Sequence, residues 1–452
     1  MTLAPGSTAR RAEGQHGDVN ESTDVLIVGG GFGGAFAAHA LDRLLGGRSV
    51  RTTMVAPDNF LLFSPLLAEA ASGTIEPRHA VIPLRELLRH TVLVSGVVES
   101  IDVAAKRATV RTATEERRDI GYHTLVVAPG SVPATFPIPG LLDHAVGFKT
   151  LADAIWLRNR VLNQLEVASD QPRGERRLQM LTFTFVGGGY AGVEALAELR
   201  SLVGDALRRY PTLAPSDFRW VLVEAQARLL PGLDTRLAAY TDRQLRRQGV
   251  ELRLNTRMES CVDNRVVLAG PFCRDGVAPY LSDTIVWTAG QRASPLAASL
   301  GLAIDDRGRV IVDDHLRVPS HPDIYAVGDS AAVPDPDGGL CPATAQHALR
   351  QGRLCGRNVA ADYGVGTAGP FSYRNRGLAV TLGRGEGTAQ VKRFTFTGWP
   401  AWWMGRSYHL YMTPGMSRRA RIVTDWTLSL LFPRDVAQLG ALGRPTPLGR
   451  AE

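Results

Sequence analysis

Thiol chemistry is almost excluded by what this chain lacks. Its 452 residues include four cysteines, Cys261, Cys273, Cys341 and Cys355, so the first 260 positions have none. No two are spaced as C-x-x-C or C-x-x-x-x-C, so neither a zinc site nor a redox-active vicinal disulfide is signalled, and no metal site is predicted. They read as buried or incidental thiols in a reducing compartment. Lysine is scarce as well: only Lys106, Lys149 and Lys392 share the basic total of 51 with arginine. No run of about 18 apolar residues occurs, so no transmembrane helix is predicted. Residues 1–22 lack the apolar core of a signal peptide and read as a disordered leader.

The charge that is present is unevenly placed. The formal net charge is +7, yet residues from 371 onward hold 12 Lys/Arg against four Asp/Glu, which leaves the rest close to neutral. The same segment holds Trp399, Trp402, Trp403 and Trp426, four of the seven tryptophans. Trp399, Trp402, Trp403 and Arg406 fall at i, i+3, i+4 and i+7, which is helical spacing. Leu410, Trp426 and Leu430 suggest a second such face. An amphipathic helix rich in Trp and Arg suits a membrane interface, with arginines on anionic headgroups. Nucleic-acid binding also uses basic and aromatic residues, but no binding motif accompanies them.

Two glycine fingerprints organise the remainder. Val25-Leu26-Ile27-Val28 leads into Gly29-Gly30-Gly31-Phe32-Gly33-Gly34, and Phe183-Thr184-Phe185-Val186 leads into Gly187-Gly188-Gly189-Tyr190-Ala191-Gly192. Both read G-x-G-x-x-G where a strand turns into a helix. The first glycine permits the turn, the second admits a pyrophosphate, and the third lets helix and strand pack closely. Two copies imply two dinucleotides and a hydride passed between them.

An acid ending the next strand normally holds the ribose. Glu224 fills that place in the second unit and favours NAD(H), since a 2′-phosphate would meet a like charge. Ala56 occupies the matching place in the first unit, with Asp58 as a nearby substitute. Helices are expected at 35–45, 192–203 and 235–248, and strands near 51–55, 92–98, 107–112, 125–128, 181–186, 218–223 and 285–288. Asn59–Leu67 reads as a loop, and Pro133, Pro137 and Pro139 as a crossover linker. The alternation predicts an α/β fold with two Rossmann-like units.

Residues 23–440 resemble the two-dinucleotide-binding-domain flavoproteins, and among them the type II NADH:quinone oxidoreductases. Gly29, Gly31 and Gly34 match the FAD pyrophosphate turn. Phe63-Ser64-Pro65-Leu66-Leu67 with Ala71-Ser72-Gly73-Thr74 resembles the segment that passes the flavin ring. Ala128-Pro129-Gly130 resembles an A-T-G crossover, and Gly328-Asp329 matches the motif whose Asp binds the ribityl chain. Gly187, Gly189, Gly192 and Glu224 match the NADH site, with Gly290 beside it after the strand 285–288. Ala345-Gln346-His347-Ala348-Leu349-Arg350-Gln351 resembles the family's quinone motif. Gln346 and Gln351 would then donate hydrogen bonds to quinone carbonyls, and Ala345 would leave room for the ring. Glu194 would sit near nicotinamide and flavin, positioning the nicotinamide or relaying a proton. His79 and His347 are assigned no role.

The resemblance implies FAD and NADH as cofactors and a membrane quinone as acceptor, menaquinone among the candidates. It implies a monotopic enzyme on the cytoplasmic face of the cell membrane, without proton pumping, and leaves a homodimer open. The implied layout is a leader (1–22), an FAD-binding domain (23–140 and 301–370), an NADH-binding domain (141–300) and a C-terminal membrane segment (371–452). A cysteine pair at the flavin is missing, which removes a dithiol acceptor. Two other readings stay open: the same fold with ferredoxin, oxygen or a metabolite as acceptor, and a membrane-docked NADH sensor.

Overall fold

The computed structural model describes residues 21–270, 278–374 and 377–438. The first fingerprint's apolar run lies in β1 (Glu21–Val28), where Val25, Leu26, Ile27 and Val28 are all buried. The strand starts inside the expected leader, because Glu21 and Ser22 pair with Ile120 and Gly121. Residues 1–20 lie outside the described residues, as does Cys273.

Helix α1 (Phe32–Leu45) follows, then β2 (Thr52–Ala56), β3 (Val92–Asp102), β4 (Arg107–Thr112) and β5 (Arg117–Val127). The stretch expected as a loop instead holds a short strand, Phe60–Leu62, a 3-10 turn, Ser64–Leu66, and helix α2 (Leu67–Ala71). Pro65 does not break the turn because it sits in its first positions, where a missing N–H costs nothing.

The second unit holds β6 (Ala145–Gly147), α3 (Leu151–Ser169), β7 (Thr182–Val186), α4 (Tyr190–Ala206), β8 (Arg219–Val223), α5 (Thr235–Arg247), β9 (Val250–Arg253) and β10 (Thr284–Trp287). The chain then returns through β11 (Arg317–Val318) and β12 (His321–Ala326) to the first sheet. That sheet runs β1-β2-β3-β4-β5-β12-β11, with β1 also paired to β5. The second is parallel throughout, in the order β9-β8-β7-β10-β6. In such sheets ligands bind beyond the carboxyl ends of the strands, where the strand order reverses. Here that place lies between β7 and β10, beside the second fingerprint.

Helix α6 (Ala345–Asp362) lies across α1. A Cβ on its Gly352 would come within 2.2 Å of the Gly33 carbonyl oxygen, so only glycine permits this approach. The crossing delivers the amino end of α6 to the first fingerprint.

The C-terminal segment forms a three-stranded sheet, β13 (Gly377–Thr381), β14 (Gly387–Val391) and β15 (Phe394–Thr397), followed by α7 (Gly398–Met412) and α8 (Met416–Leu431). The first predicted face lies on α7. The second is split, with Leu410 on α7 and Trp426 and Leu430 on α8, because the chain turns at 413–415. The central residues of the helices face protein. Trp402, Arg406 and Trp426 are each at most 4 % exposed. The Arg406 guanidinium lies 3.8 Å from the Trp402 ring centroid and 5.0 Å from that of Trp426. Its Nε donates to Glu69 of α2 at 3.0 Å, and the Trp426 indole N–H donates to the other carboxylate oxygen at 2.5 Å. Asp425 pairs with His79 at 2.5 Å. What remains outside is Trp399, Tyr411, Met416, Val423, Leu428, Leu430, Leu431 and Phe432. No helix among the described residues is long and apolar enough to cross a membrane.

Candidate active site

A cavity of about 590 Å³ lies between the two sheets, lined by residues of both fingerprints. At the first turn Gly29 has φ +105°, and a Cβ on Gly34 would lie 2.0 Å from the Gly29 carbonyl oxygen. The second turn repeats this: Gly187 has φ +115°, and a Cβ on Gly192 would lie 2.2 Å from the Gly187 oxygen. Gly31 and Gly189 line the cavity, and a Cβ on either would meet no atom within 4 Å. That open space lies against the amino ends of α1 and α4, where N–H groups and helix dipole suit a pyrophosphate. Both turns therefore fit a dinucleotide.

Behind the second turn Glu224 accepts from the Gly188 N–H at 2.6 Å and from the Gln226 N–H at 2.7 Å. The first turn has no such acid. A Cβ on Gly30 would meet Ala56 and Leu84 at 2.9 Å, so apolar packing occupies the equivalent place. Asp58 is exposed in the turn after β2.

Of the residues expected at the site, Gly130, Gly192, Glu194, Gly328, Asp329, Ala345 and Gln346 also line the cavity. Gly290 lies beside it, where its carbonyl accepts from the Ala134 N–H at 3.1 Å. Gln351 is placed elsewhere. It is 2 % exposed, outside the wall, and its Oε1 accepts from the Gly328 N–H at 2.9 Å. Five residues along a helix turn through about 500°, so Gln346 and Gln351 point roughly 140° apart. Gln351 thus braces the Gly328 turn. Gln346 faces the cavity, and its Oε1 accepts from the Tyr373 hydroxyl at 2.8 Å.

Glu194 sits one turn into α4 and accepts from the Thr381 N–H of β13 at 3.0 Å. Burial pushes its pKa up to about 8, so the carboxyl holds its proton at neutral pH. One turn further, Glu198 is fully buried. Its Oε2 accepts from Ser72 at 2.9 Å and from Arg434 at 3.1 Å.

Among the lining residues that were not anticipated, three are polar and bear on the chemistry: Lys149, Ser131 and His409. Lys149 donates to Ser131 at 2.5 Å, and Ser131 donates to Asp329 at 2.7 Å. Burial lowers the Lys149 pKa while Asp329 opposes the shift. The sequence did carry a signal here, since Lys149 is one of three lysines in an arginine-rich chain. His409 of α7 lines the opposite wall with Leu378 and Ala379, and burial lowers its pKa to about 4. The C-terminal segment therefore builds part of the cavity. Cys261, Cys341 and Cys355 are buried, and none lines the wall.

The two glycine turns and the shared cavity define a two-nucleotide flavoprotein. Residues 23–352 match the model of the pyridine nucleotide-disulphide oxidoreductase family, to which the chain belongs. More narrowly, it belongs with the type II NADH:quinone oxidoreductases. It is 31% identical to a protein of that name from Mycobacterium tuberculosis, NdhA, over 95% of this chain and 90% of the relative. It is 27% identical to an internal alternative NAD(P)H-ubiquinone oxidoreductase of Arabidopsis thaliana mitochondria, over 93% and 86% of the two chains. The fold matches the structure of Plasmodium falciparum NDH2 in complex with NADH at a TM-score of 0.83, with 17% identity, over 92% of this chain and 100% of that one. The sulfide:quinone oxidoreductase of Aquifex aeolicus gives 0.67 at 17% identity, over 91% of this chain and 94% of that one.

Proposed function

We propose that this chain oxidises NADH and reduces a membrane quinone, with FAD between them. The observation that carries this reading is the shared cavity: both nucleotide turns open on it, and the Ala345–Gln346 end of α6 lines it with no cysteine among the described lining residues. FAD, when bound, supplies a two-electron carrier that accepts hydride from NADH. The chain orients and protects. The Gly187 turn and Glu224 hold NADH, while the Gly29 turn, Gly130 and Asp329 hold the flavin nucleotide. Gln346 presents its amide to a quinone carbonyl, with Ala345 leaving space for the ring. Gln351 acts indirectly, by fixing Gly328.

The reaction consumes NADH, one proton and quinone, and yields NAD+ and quinol. One proton must therefore come from solvent at each turnover, and Glu194 holds one beside the cavity. Purified enzyme should release flavin on denaturation and reduce a soluble quinone analogue with NADH faster than it reduces oxygen or ferredoxin. Absence of flavin, or a quinone rate no higher than the oxygen rate, overturns the assignment.

The Glu194 carboxyl sets a pH dependence. Its proton is retained below about pH 8, so quinone reduction should fall as pH rises through about 8. Glu194→Gln should abolish that limb, slow quinol formation and leave bleaching of the flavin by NADH intact. The same shift affects stability. The unfolded side chain ionises near the ordinary value of 4.5, so the folded state gives up stability as pH climbs from there to about 8.

Docking on the cytoplasmic face of the cell membrane would use the outer surface of α8, where Leu428, Leu430, Leu431 and Phe432 are exposed near the exposed Arg421. Exposed apolar side chains beside arginine suit the acyl boundary and anionic headgroups. Replacing Leu430, Leu431 and Phe432 together by serine should weaken sedimentation with anionic vesicles at least about tenfold, since each buried side chain contributes about 1.5–3 kcal/mol. Turnover with a water-soluble quinone should be unchanged.

A further inference from the structure

A second chemically competent cluster lies just outside the cavity wall. The ligand atoms of Asp335, Cys341 and His347 all lie within 4.8 Å of one another. Cys341 and His347 are at most 4 % exposed, and Asp335 is half-buried. Two of the three come from the arms of a tight hairpin. Its arms are joined by the Pro334–Leu340 bridge and by the Cys341 N–H to Val333 carbonyl bond of 2.9 Å. The third sits in the first turn of α6.

The three side chains offer the donor set of a metal site. The Cys341 thiol meets the Pro334 carbonyl at 3.5 Å and the Gln351 side chain, contacts that a metal-bound thiolate would give up. His347 is oriented from behind: its Nδ1 lies 2.8 Å from the Thr344 hydroxyl oxygen, and its ring meets Tyr373 edge-on at 5.1 Å. A ligating imidazole needs such an outer hydrogen bond, which here leaves Nε2 for the metal. One thiolate and one carboxylate neutralise a divalent ion, as a buried site requires. A thiolate, an imidazole and a carboxylate around an open fourth position select Zn2+ among common divalent ions. A tetrahedral shell places its ligand atoms roughly 3.5 Å apart, so an ion would draw the three groups closer together.

We propose that Asp335, Cys341 and His347 form a binding site for one Zn2+-class ion, which ties the 333–341 hairpin to the first turn of α6. That turn carries Ala345 and Gln346 into the cavity, so an ion here would stiffen one wall of it. The site does not depend on the acceptor being a quinone. The D-x5-C-x5-H spacing escaped a search for cysteine pairs because each ligand is of a different type.

The test uses flavin-loaded enzyme, treated with chelator and then titrated with Co2+. One equivalent should produce a thiolate-to-cobalt charge-transfer band in the difference spectrum, and Zn2+ should displace it. Cys341→Ser should abolish the band, and Asp335→Asn should keep it while weakening binding about tenfold or more. Zn2+ should raise the thermal midpoint of the native protein and leave that of Cys341→Ser unmoved. No thiolate band in the native protein, or the same band in Cys341→Ser, overturns the proposal. If Cys341→Ser loses its flavin, Asp335→Asn with native flavin content decides, and unchanged Co2+ affinity there overturns it.

Discussion

Gly34→Ala is expected to leave a protein that has lost most of its flavin. The added methyl would lie 2.0 Å from the Gly29 carbonyl oxygen and 3.1 Å from its carbon. Backbone cannot rotate out of the way as a side chain can, so α1 must move off the turn by more than an ångström. Overpacking of this kind costs about 1–3 kcal/mol. At the upper end that is over a hundredfold in flavin affinity. The flavin-to-protein ratio after gel filtration measures it, and a native ratio would contradict the role given to the first turn. Gly192→Ala is the paired control, with its methyl 2.2 Å from the Gly187 oxygen. There flavin should stay bound while KM for NADH rises. Together the two variants assign one nucleotide to each turn.

The second large effect is expected at Arg406. Replacing it with methionine leaves Glu69, 5 % exposed, without its cationic partner and with only the Trp426 N–H on its second oxygen. Removing one member of a buried ion pair costs about 3–5 kcal/mol, because the other charge remains buried. The denaturation midpoint should fall accordingly. The double variant Glu69→Gln, Arg406→Met should recover part of the loss. Were Arg406 a headgroup contact, the single variant would lose vesicle binding and keep its stability, so the two measurements separate the alternatives.

Arg406 also marks where sequence patterning stops being informative. Helical spacing correctly grouped Trp402 with Arg406 on one face, because periodicity is local. Whether that face meets lipid or protein depends on Glu69, 337 positions away, and no local pattern contains that fact. The glycine turns were legible for the opposite reason: each is a strand, a turn and a helix start within a dozen residues, and its steric demand is met inside that window. Gln351 shows an intermediate case. Its motif was visible, but the side chain's direction follows from the helical phase and from Gly328 nearby in space. Ala56 departed from the ribose-binding pattern, and the packing of Gly30, Ala56 and Leu84 gives the departure a physical form. Lys149 and His409 carry no motif, and only the closing of the second unit and α7 on the first brings them to the cavity.

The burial of the C-terminal segment has a practical consequence for any attempt to shorten the enzyme. Cutting before α7 would delete Trp402, Arg406 and Trp426 from the interior, along with His409 from the cavity wall. It would also delete Arg434, whose guanidinium joins Thr74 of one unit to Glu198 and Ser201 of the other. The segment is a seam between the two nucleotide-binding halves as much as a surface. Changes to the surface are better made by replacing the outward side chains of α8 one at a time, with the backbone left whole.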